Sequence, residues 1–331
     1  MERRFVEHDQ LAGLVREAFG AARRPVDVVR LTGGSKKGVY RITLDDGGSV
    51  ILYVWGIDEN YWPEGGDDLA DPFADASGAD LFEASRAQFD AIGVRTPRLY
   101  LMDRSGSHHP ADLALVEDVR GGTLEALLAC DRQAAQAAQA ALQELGAALR
   151  AMARQRSPHL GKVALIENGT APQDRRPEQV VLDRAVRHLA VAAERAERLR
   201  PSKSRIEDLI RERAAAVQPR EGYGLIHGEL GPDHILVDGQ GRPVLIDIEG
   251  AMFFDVEWEH AFTSMRFGSA YAPLRQPGLD TARLDFYRLA HSLALIEGPL
   301  RIADGDFPGR GFMLGIADWH IGQVLAAAGA R

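Results

Sequence analysis

Residues 227–251 have the sequence HGELGPDHILVDGQGRPVLIDIEGA, and this stretch decides how the rest of the chain is interpreted. The apolar runs ILV and VLI flank a turn-forming segment, a pattern typical of a β-hairpin. If Gly239–Arg242 form a four-residue loop, antiparallel pairing places His234 directly opposite Asp247. Opposed side chains in such a pair have Cβ atoms about 4.5–5.5 Å apart. We therefore expect His234 and Asp247 to meet at the open end of the hairpin.

A third functional side chain belongs to the same corner. Glu229 lies five residues before His234, on the loop that precedes the hairpin. A Glu, a His and an Asp that converge are suited to hold a cation and to act as a general base. The alternative is structural, since His234 and Asp247 could simply end the two strands and hydrogen-bond each other.

Composition limits the function classes. The chain has 331 residues and a net charge of −9, which argues against broad binding of nucleic acid or anionic membranes. No run approaches the roughly 18 apolar residues of a membrane span, and the first residues lack a signal-peptide core. The single cysteine, Cys130, excludes an intramolecular disulfide and a cysteine-based zinc site. We expect a cytoplasmic protein that binds neither nucleic acid nor membrane.

The chain divides into a sheet-rich first third and a helical remainder. Five strand-like segments and one helix, 79–92, precede residue 119, and helical periodicity dominates from residue 121 onward. This pattern predicts an α+β protein of two lobes, residues 1–119 and 120–331.

Residues 56–80 interrupt the first lobe. They are rich in Gly and Pro, lack a period and contain no basic residue, so they are expected to form a long loop or flap. We interpret the segment as a lid that favours a cationic acceptor. The alternative is a solvated loop that only aids solubility. Its acidic residues are Asp58, Glu59, Glu64, Asp67, Asp68, Asp71, Asp75 and Asp80.

The segments HGELGPDHILVD and IDIEGA resemble the aminoglycoside phosphotransferase family, whose pattern is H-G-D-L-x-P-x-N-I-L followed by I-D-W/F-E-x-A. FDVEWE, residues 254–259, is similar to the family's G-D-P-x-x-D segment. The resemblance implies a bilobal protein-kinase-like fold, with ATP or GTP between the lobes and magnesium on the phosphates. It also implies a small-molecule hydroxyl as acceptor, such as an antibiotic or a metabolite.

The catalytic loop departs from the family at two positions. Glu229 replaces the catalytic Asp, and by resemblance would orient or deprotonate the acceptor hydroxyl. His234 replaces a metal-binding Asn, as it also does in macrolide kinases, whereas Asp247 matches the main metal ligand. The resemblance thus assigns the metal to Asp247 and His234, with manganese as an alternative because imidazole is a softer ligand than an amide oxygen. It implies a structural role for His227, Asp255 and Glu259.

The first lobe departs at the phosphate-gripping lysine. Tyr53 falls where the family carries that lysine, and a tyrosine supplies no charge. Glu83 resembles the lysine's ion-pair partner, although a solvated helix face is the alternative. The segment GGSKKG could compensate through backbone amides and two lysines, or could be a plain turn. The predicted nucleotide-binding residues are Gly33, Gly34, Ser35, Lys36, Lys37, Tyr53, Glu83 and, by resemblance to a hinge, Glu117 and Val119.

Two functions remain open from the sequence. The first is a kinase that transfers a γ-phosphoryl group to a small-molecule hydroxyl. The second is a catalytically retired kinase fold that binds a nucleotide or metabolite, which the loss of the strand lysine would suit. The retained carboxylate at Glu229 favours the enzyme.

Overall fold

Five strands near the start of the chain form one antiparallel sheet in the computed structural model, which describes residues 3–62, 71–74, 77–130, 132–170 and 175–329. Their order is β1-β2-β3-β5-β4. A helix, α1, precedes the sheet, and a second, α2, lies between β3 and β4. The bounds are α1 Ala12–Phe19, β1 Pro25–Arg30, β2 Gly38–Leu44, β3 Ser49–Trp55, α2 Ala79–Ala91, β4 Leu99–Asp103 and β5 Asp112–Glu117.

The two faces of β3 belong to two apolar clusters. Leu52 and its alternate neighbours pack with α1 on one face of the sheet. Ile51 and Tyr53 point to the opposite face, where they join α2 and the core of the second lobe. Side chains alternate across a strand, so this register directs Tyr53 toward the cleft between the lobes.

The remainder of the chain is mainly helical. Short strands β6 and β7 pair with β8 and β11 in a small sheet, while β9 and β10 form a separate hairpin. The helices are α3 Leu124–Leu128, α4 Arg132–Arg154, α5 Val163–Glu167, α6 Pro177–Arg195, α7 Lys203–Ala215, α8 Val256–Phe267, α9 Thr281–Ile302 and α10 Arg310–Ala327. The strands are β6 Arg156–Ser157, β7 Gly161–Lys162, β8 Tyr223–Ile226, β9 Ile235–Val237, β10 Pro243–Leu245 and β11 Met252–Phe254.

The architecture confirms the predicted α+β fold with a sheet-rich and a helical lobe. Helix α8, which carries the buried carboxylate of Glu259, was not predicted from the sequence. One apolar cluster runs from the first-lobe sheet into α4, α9 and α10, so the two lobes share a core. Among the helices that the structure describes, none combines the length and apolarity needed to cross a membrane.

Candidate active site between the lobes

The register of the β9–β10 hairpin differs from the prediction by one residue. Val237 lies opposite Pro243, and the Asp238 amide donates to the Arg242 carbonyl over 3.0 Å. The loop therefore has three residues, with Gly241 at φ 78°, a conformation that glycine adopts without steric cost. The predicted four-residue loop is wrong because the Asp238 carboxylate accepts hydrogen bonds from two backbone amides within the turn and tightens it.

His234 and Asp247 approach each other for a different reason. The observed register places His234 across from Ile246, whose amide donates to the His234 carbonyl over 3.0 Å. Asp247 then adopts a left-handed backbone, φ 59° and ψ 45°. Among the described residues it is the only non-glycine residue with positive φ. This bend brings Asp247 Oδ2 to 3.6 Å from His234 Nε2.

The orientation of His234 leaves one ring nitrogen facing the cleft. Nδ1 lies 2.7 Å from the Glu229 carbonyl, and because a carbonyl only accepts, Nδ1 is the donor. In the neutral ring Nε2 then carries the free lone pair toward Asp247. Burial opposes protonation of His234, but the carboxylates of Asp247 and Asp233 outweigh burial and raise the pKa of the imidazole.

Lys37 crosses from the first lobe into this site. Its Nζ lies 2.8 Å from Asp247 Oδ1 and 2.5 Å from Glu249 Oε1. The residue is only 7% exposed. Burial opposes its charge, yet Asp247 and Glu249 outweigh burial and raise the pKa of the Lys37 ammonium. In turn Lys37 holds the pKa of Asp247 well below its ordinary value.

Glu249 is a site residue that the sequence analysis did not single out. It is buried and receives a second hydrogen bond at Oε1 from Trp55 Nε1, over 3.2 Å. Its Oε2 is buried without a hydrogen-bond partner in the part of the chain that the structure describes. The family pattern I-D-W/F-E-x-A contained the signal, because its glutamate falls on Glu249.

Tyr53 lies beside Lys37 in the site, whereas Glu83 lies outside it. The Tyr53 ring is buried in edge-to-face contact with Phe82, and its centroid lies 4.9 Å from Lys37 Nζ. Burial raises the pKa of Tyr53 to about 12. Glu83 instead pairs with Arg104 on the surface of α2, with 41% of its side chain exposed. This position matches the alternative of a solvated helix face, and the geometry gives Glu83 no part in the site.

A buried carboxylate fixes the loop that carries Glu229. Glu259 accepts hydrogen bonds from the amides of His227, Gly228 and Leu230 at 2.5, 2.9 and 3.1 Å. Burial raises the pKa of Glu259, and this effect outweighs the three hydrogen bonds, which lower the pKa. Glu229 itself is exposed beside the cleft. The backbone of the loop is therefore held rigidly, while the Glu229 carboxylate is accessible to a bound molecule.

His227 and Asp255 are buried in the scaffold of the site. His227 Nε2 donates to the Ile246 carbonyl over 2.9 Å, and burial lowers the pKa of the ring to about 4. Asp255 pairs with the buried Arg283 and accepts from Tyr287 Oη over 2.5 Å. These contacts agree with the structural roles expected for both residues.

The connection between the lobes begins at Glu117 and Val119. Glu117 pairs with Arg95 over 2.8 Å, and Arg95 also pairs with Asp238 of the hairpin. Val119 is buried. The connection thus ties β5 to the hairpin at the back of the cleft, and the nucleotide contacts of Glu117 and Val119 stay predictions.

The glycine-rich loop, GGSKKG at residues 33–38, connects β1 to β2 and packs against the start of segment 56–80. The Ser35 carbonyl accepts from the Tyr61 amide over 2.8 Å, and Ser35 Oγ accepts from Trp62 Nε1 over 3.0 Å. A Cβ on Gly34 would lie 2.6 Å from the Lys37 carbonyl, so only glycine allows this close turn. Lys36 lies over the Trp62 ring, 5.4 Å from its centroid, and does not share the partners of Lys37.

Segment 56–80 is anchored to both lobes where the structure describes it. The Arg301 guanidinium of α9 lies over the Trp62 ring, 5.2 Å from its centroid, and Phe73 packs against Trp258 with ring centroids 4.7 Å apart. Several of its acids are already paired: Glu59 with Arg30, Asp71 with Arg184 and Asp80 with Arg104. Glu64, Asp67, Asp68 and Asp75 lie outside the described residues.

The family implies a divalent cation, and Asp247 with His234 is suited to hold one. Half of the Asp247 side chain is exposed to the cleft, and its Oδ2 faces the Nε2 lone pair of His234. No cluster of three or more His, Cys, Asp or Glu side chains in the described ranges could bind a metal unaided. Mg²⁺ is commonly held by one or two protein ligands together with substrate phosphates, so two ligands fit this role.

Three solved structures with the same architecture are named as phosphotransferases or as a kinase. Aminoglycoside phosphotransferase APH(4)-Ia superposes with a TM-score of 0.62 at 18% identity, covering 98% of this chain and 100% of that one. APH(2")-IIIa, in complex with GDP and kanamycin, gives 0.59 at 15% identity, with 95% and 97% covered. A candidate fructosamine-3-kinase from Haemophilus somnus 129PT gives 0.58 at 12% identity, with 95% and 96% covered. These likenesses establish the kinase-like fold.

The amino-acid sequence identifies the class of protein, which is a phosphotransferase. The sequence model of the phosphotransferase enzyme family (APH) matches residues 27–294. The chain belongs to this family, which confirms the resemblance found in its sequence.

A curated protein matches only a short stretch. The 1,3-beta-glucanosyltransferase gel1 of Aspergillus fumigatus is 39% identical over 70 residues, which is 21% of this chain. The chain spans 14% of the length of that relative. A match of this extent does not bear on fold or activity.

Proposed function

We propose that this protein transfers the γ-phosphoryl group of ATP or GTP to a hydroxyl of a small, amine-bearing molecule, in a reaction that requires a divalent cation. The observation that carries the proposal is the meeting of Lys37, Asp247 and His234 beside the exposed Glu229. Phosphoryl transfer depends chiefly on positioning and charge neutralisation, and these side chains offer both.

The reaction consumes only the acceptor hydroxyl and the nucleoside triphosphate. The acceptor oxygen forms a bond to the γ-phosphorus, and the bond from that phosphorus to the β–γ bridging oxygen breaks. The hydroxyl proton passes to the Glu229 carboxylate, and the nucleoside diphosphate leaves. Asp247 and His234 would hold Mg²⁺ or Mn²⁺, which supplies charge neutralisation at the phosphates when bound.

The solved relatives support a nucleotide and an amine-bearing acceptor. APH(4)-Ia has been solved with AMP-PNP and hygromycin B, and APH(2")-IIIa with GDP and kanamycin. We extend this chemistry to the present chain because it shares their family. An antibiotic and a sugar-amine metabolite are both compatible acceptors.

The lobe boundary and the cellular location are further parts of the proposal. We place the boundary between residues 119 and 120, since β5 ends at Glu117 and the helical part begins at Leu124. A cytoplasmic location would supply the nucleotide.

Phosphorus NMR tests the proposal. The protein is incubated with ATP or GTP, Mg²⁺ or Mn²⁺, and a panel of aminoglycosides, macrolides, peptide antibiotics and amine-bearing sugars. A new phosphate-monoester resonance that depends on the acceptor is the expected result. Nucleotide binding without any transfer across the panel, and without slow hydrolysis, would favour the retired kinase fold instead.

A further inference from the structure

Lys37 occupies the neighbourhood that a strand lysine would fill in this fold. Tyr53 stands at the strand position, and its ring faces the cleft. The Lys37 ammonium lies 4.9 Å from the centroid of that ring, although its backbone belongs to the loop before β2. A positive charge has therefore reached the same part of the cleft from a different segment of the chain.

The carboxylate partner of this lysine also comes from a different element. Glu83, on the helix after β3, pairs with Arg104 at the surface. Glu249, just after the metal-ligand candidate Asp247, contacts Lys37 over 2.5 Å and is held by Trp55. A kinase site requires a lysine kept in place by a glutamate, and Lys37 with Glu249 provides that pair.

The burial of Lys37 and Glu249 makes each of them depend on the opposite charge of the other. A buried lysine is stable only when its charge is matched, and losing one member of a buried pair is costly. The Lys37 side chain is 9% exposed and that of Glu249 is 2% exposed. The second oxygen of Glu249 is buried without a partner among the described residues. This oxygen allows Glu249 to keep Lys37 when the ammonium turns away from Asp247.

We propose that Lys37 of the glycine-rich loop replaces the missing strand lysine and contacts the α- and β-phosphates of the nucleotide, while Glu249 is the positioning residue that orients it. The inference rests on the proposed function, because it assumes a nucleotide in the cleft. When the nucleotide and its cation bind, Lys37 moves its contact from Asp247 to the phosphates, and Asp247 is released to the cation.

A charge-transplant experiment tests this assignment. Binding of AMP-PNP and GMP-PNP with MgCl₂ is measured by titration calorimetry for the wild type, Lys37→Met, Lys36→Met and the double variant Lys37→Met/Tyr53→Lys. We expect Lys37→Met to raise Kd by about tenfold or more, the scale of one charged phosphate contact. Lys36→Met, the matched neighbour, should have a clearly smaller effect. The double variant should recover most of the lost affinity.

The outcomes separate the two proposals. If the wild type binds an analogue and Lys37→Met binds it equally well, the role of Lys37 is refuted and the proposed function stands. Equal losses in both single lysine variants would also refute it, because loop charge would then suffice. If the wild type binds neither analogue, the proposed function fails as well. Thermal melting checks that each variant is folded. If Lys37→Met is unstable, Lys37→Arg is the second test, because Arg keeps the charge and should retain more affinity than Lys37→Met.

Glu249 needs a separate readout. Its positioning role predicts that Glu249→Gln and Lys37→Met are strongly non-additive in nucleotide affinity, since each removes the same contact. A purely structural Glu249 would lower the melting temperature and give additive effects on affinity. Rescue by Glu249→Asp of part of the affinity would further support orientation of Lys37.

Discussion

Asp247 combines a strained backbone with ionic contacts to both Lys37 and His234. Its left-handed conformation costs of the order of 1–3 kcal/mol in a non-glycine residue, and this bend is what turns the carboxylate toward Lys37 and His234. Such conformations persist where surrounding contacts hold them, and they concentrate at functional sites. The strain at Asp247 is therefore a second, independent sign that this residue belongs to the active site.

Replacing Asp247 with Asn should remove most of the metal-dependent nucleotide affinity. Asn tolerates the left-handed backbone, so the fold should remain while the carboxylate ligand is lost. Nucleotide titrations with and without MgCl₂ measure the effect, and Asp285→Asn on the exposed face of α9 is the control. An unchanged magnesium dependence would refute the assignment of Asp247 as a metal ligand.

Glu229 should act on the acceptor and not on the nucleotide. Its carboxylate is exposed beside the cleft, whereas its loop is fixed by Glu259. Glu229→Gln should lower kcat by about 10²-fold or more, the usual contribution of a positioned general base, with little change in nucleotide affinity. Steady-state kinetics and calorimetry separate the two, with the exposed Glu221→Gln as control. Full activity would remove Glu229 as base, and an equal loss of nucleotide binding would assign it to the metal.

At the scale of elements, the described parts of segment 56–80 contact both lobes. Trp62 contacts Ser35 of the glycine-rich loop and Arg301 of α9, while Phe73 packs against Trp258 of α8. The acids that the structure describes at Glu59, Asp71 and Asp80 are neutralised by arginines. Any attraction for a cationic acceptor must therefore come mainly from the other acids of the segment.

Neutralising four of those acids tests the lid proposal without removing its anchors. Glu64→Gln, Asp67→Asn, Asp68→Asn and Asp75→Asn together should raise the acceptor KM and weaken its salt dependence, because long-range attraction to a cation is screened by salt. The control changes four exposed acids outside the segment: Glu194→Gln on α6, Asp208→Asn and Glu212→Gln on α7, and Glu197→Gln between the two helices. An acceptor KM with the same value and the same salt dependence as the wild type would leave a solvated loop as the explanation.

At the scale of the whole molecule, the two lobes are joined by one apolar core and by ion pairs across the cleft. Lys37 with Glu249 and Arg95 with Asp238 each join residues of the first lobe to the segment around the hairpin. The second lobe also contains four buried histidines, His227, His260, His291 and His320. Protonation of these histidines couples the stability of the whole molecule to pH.

Acidification should destabilise the fold below about pH 6.5. Burial lowers the pKa of His291 from its ordinary value of 6.5 to about 3, against the hydrogen bond to the Trp258 carbonyl and with smaller contributions from His320 and Arg184. The unfolded chain therefore binds a proton first, and stability falls by about 1.4 kcal/mol per pH unit for this group as pH decreases from 6.5 toward 3. Urea unfolding at pH 7.0, 6.0 and 5.0 measures the slope.

His291→Gln isolates that contribution. The variant should be less stable at pH 7, because the contact of His291 with the Trp258 carbonyl is disturbed, but it should lose less stability on acidification. His159→Gln, at an exposed position, should keep the wild-type slope. If His291→Gln follows the wild-type slope as well, His291 does not contribute to the acid sensitivity.

The sequence by itself was sufficient for the fold class, for most helices and strands, and for the approach of His234 to Asp247. Alternating and helical periodicities are local properties of the sequence. The segments HGELGPDHILVD and IDIEGA, which carry the family pattern, both lie within residues 227–251. The tertiary structure alone decided the hairpin register, the outward position of Glu83 and the pairing of Lys37 with Glu249. A turn capped by Asp238 shifted the register by one residue. The Lys37–Glu249 contact joins residues 212 positions apart. It depends on how the two lobes pack and on which oppositely charged side chains are buried together. No local sequence pattern encodes either of these.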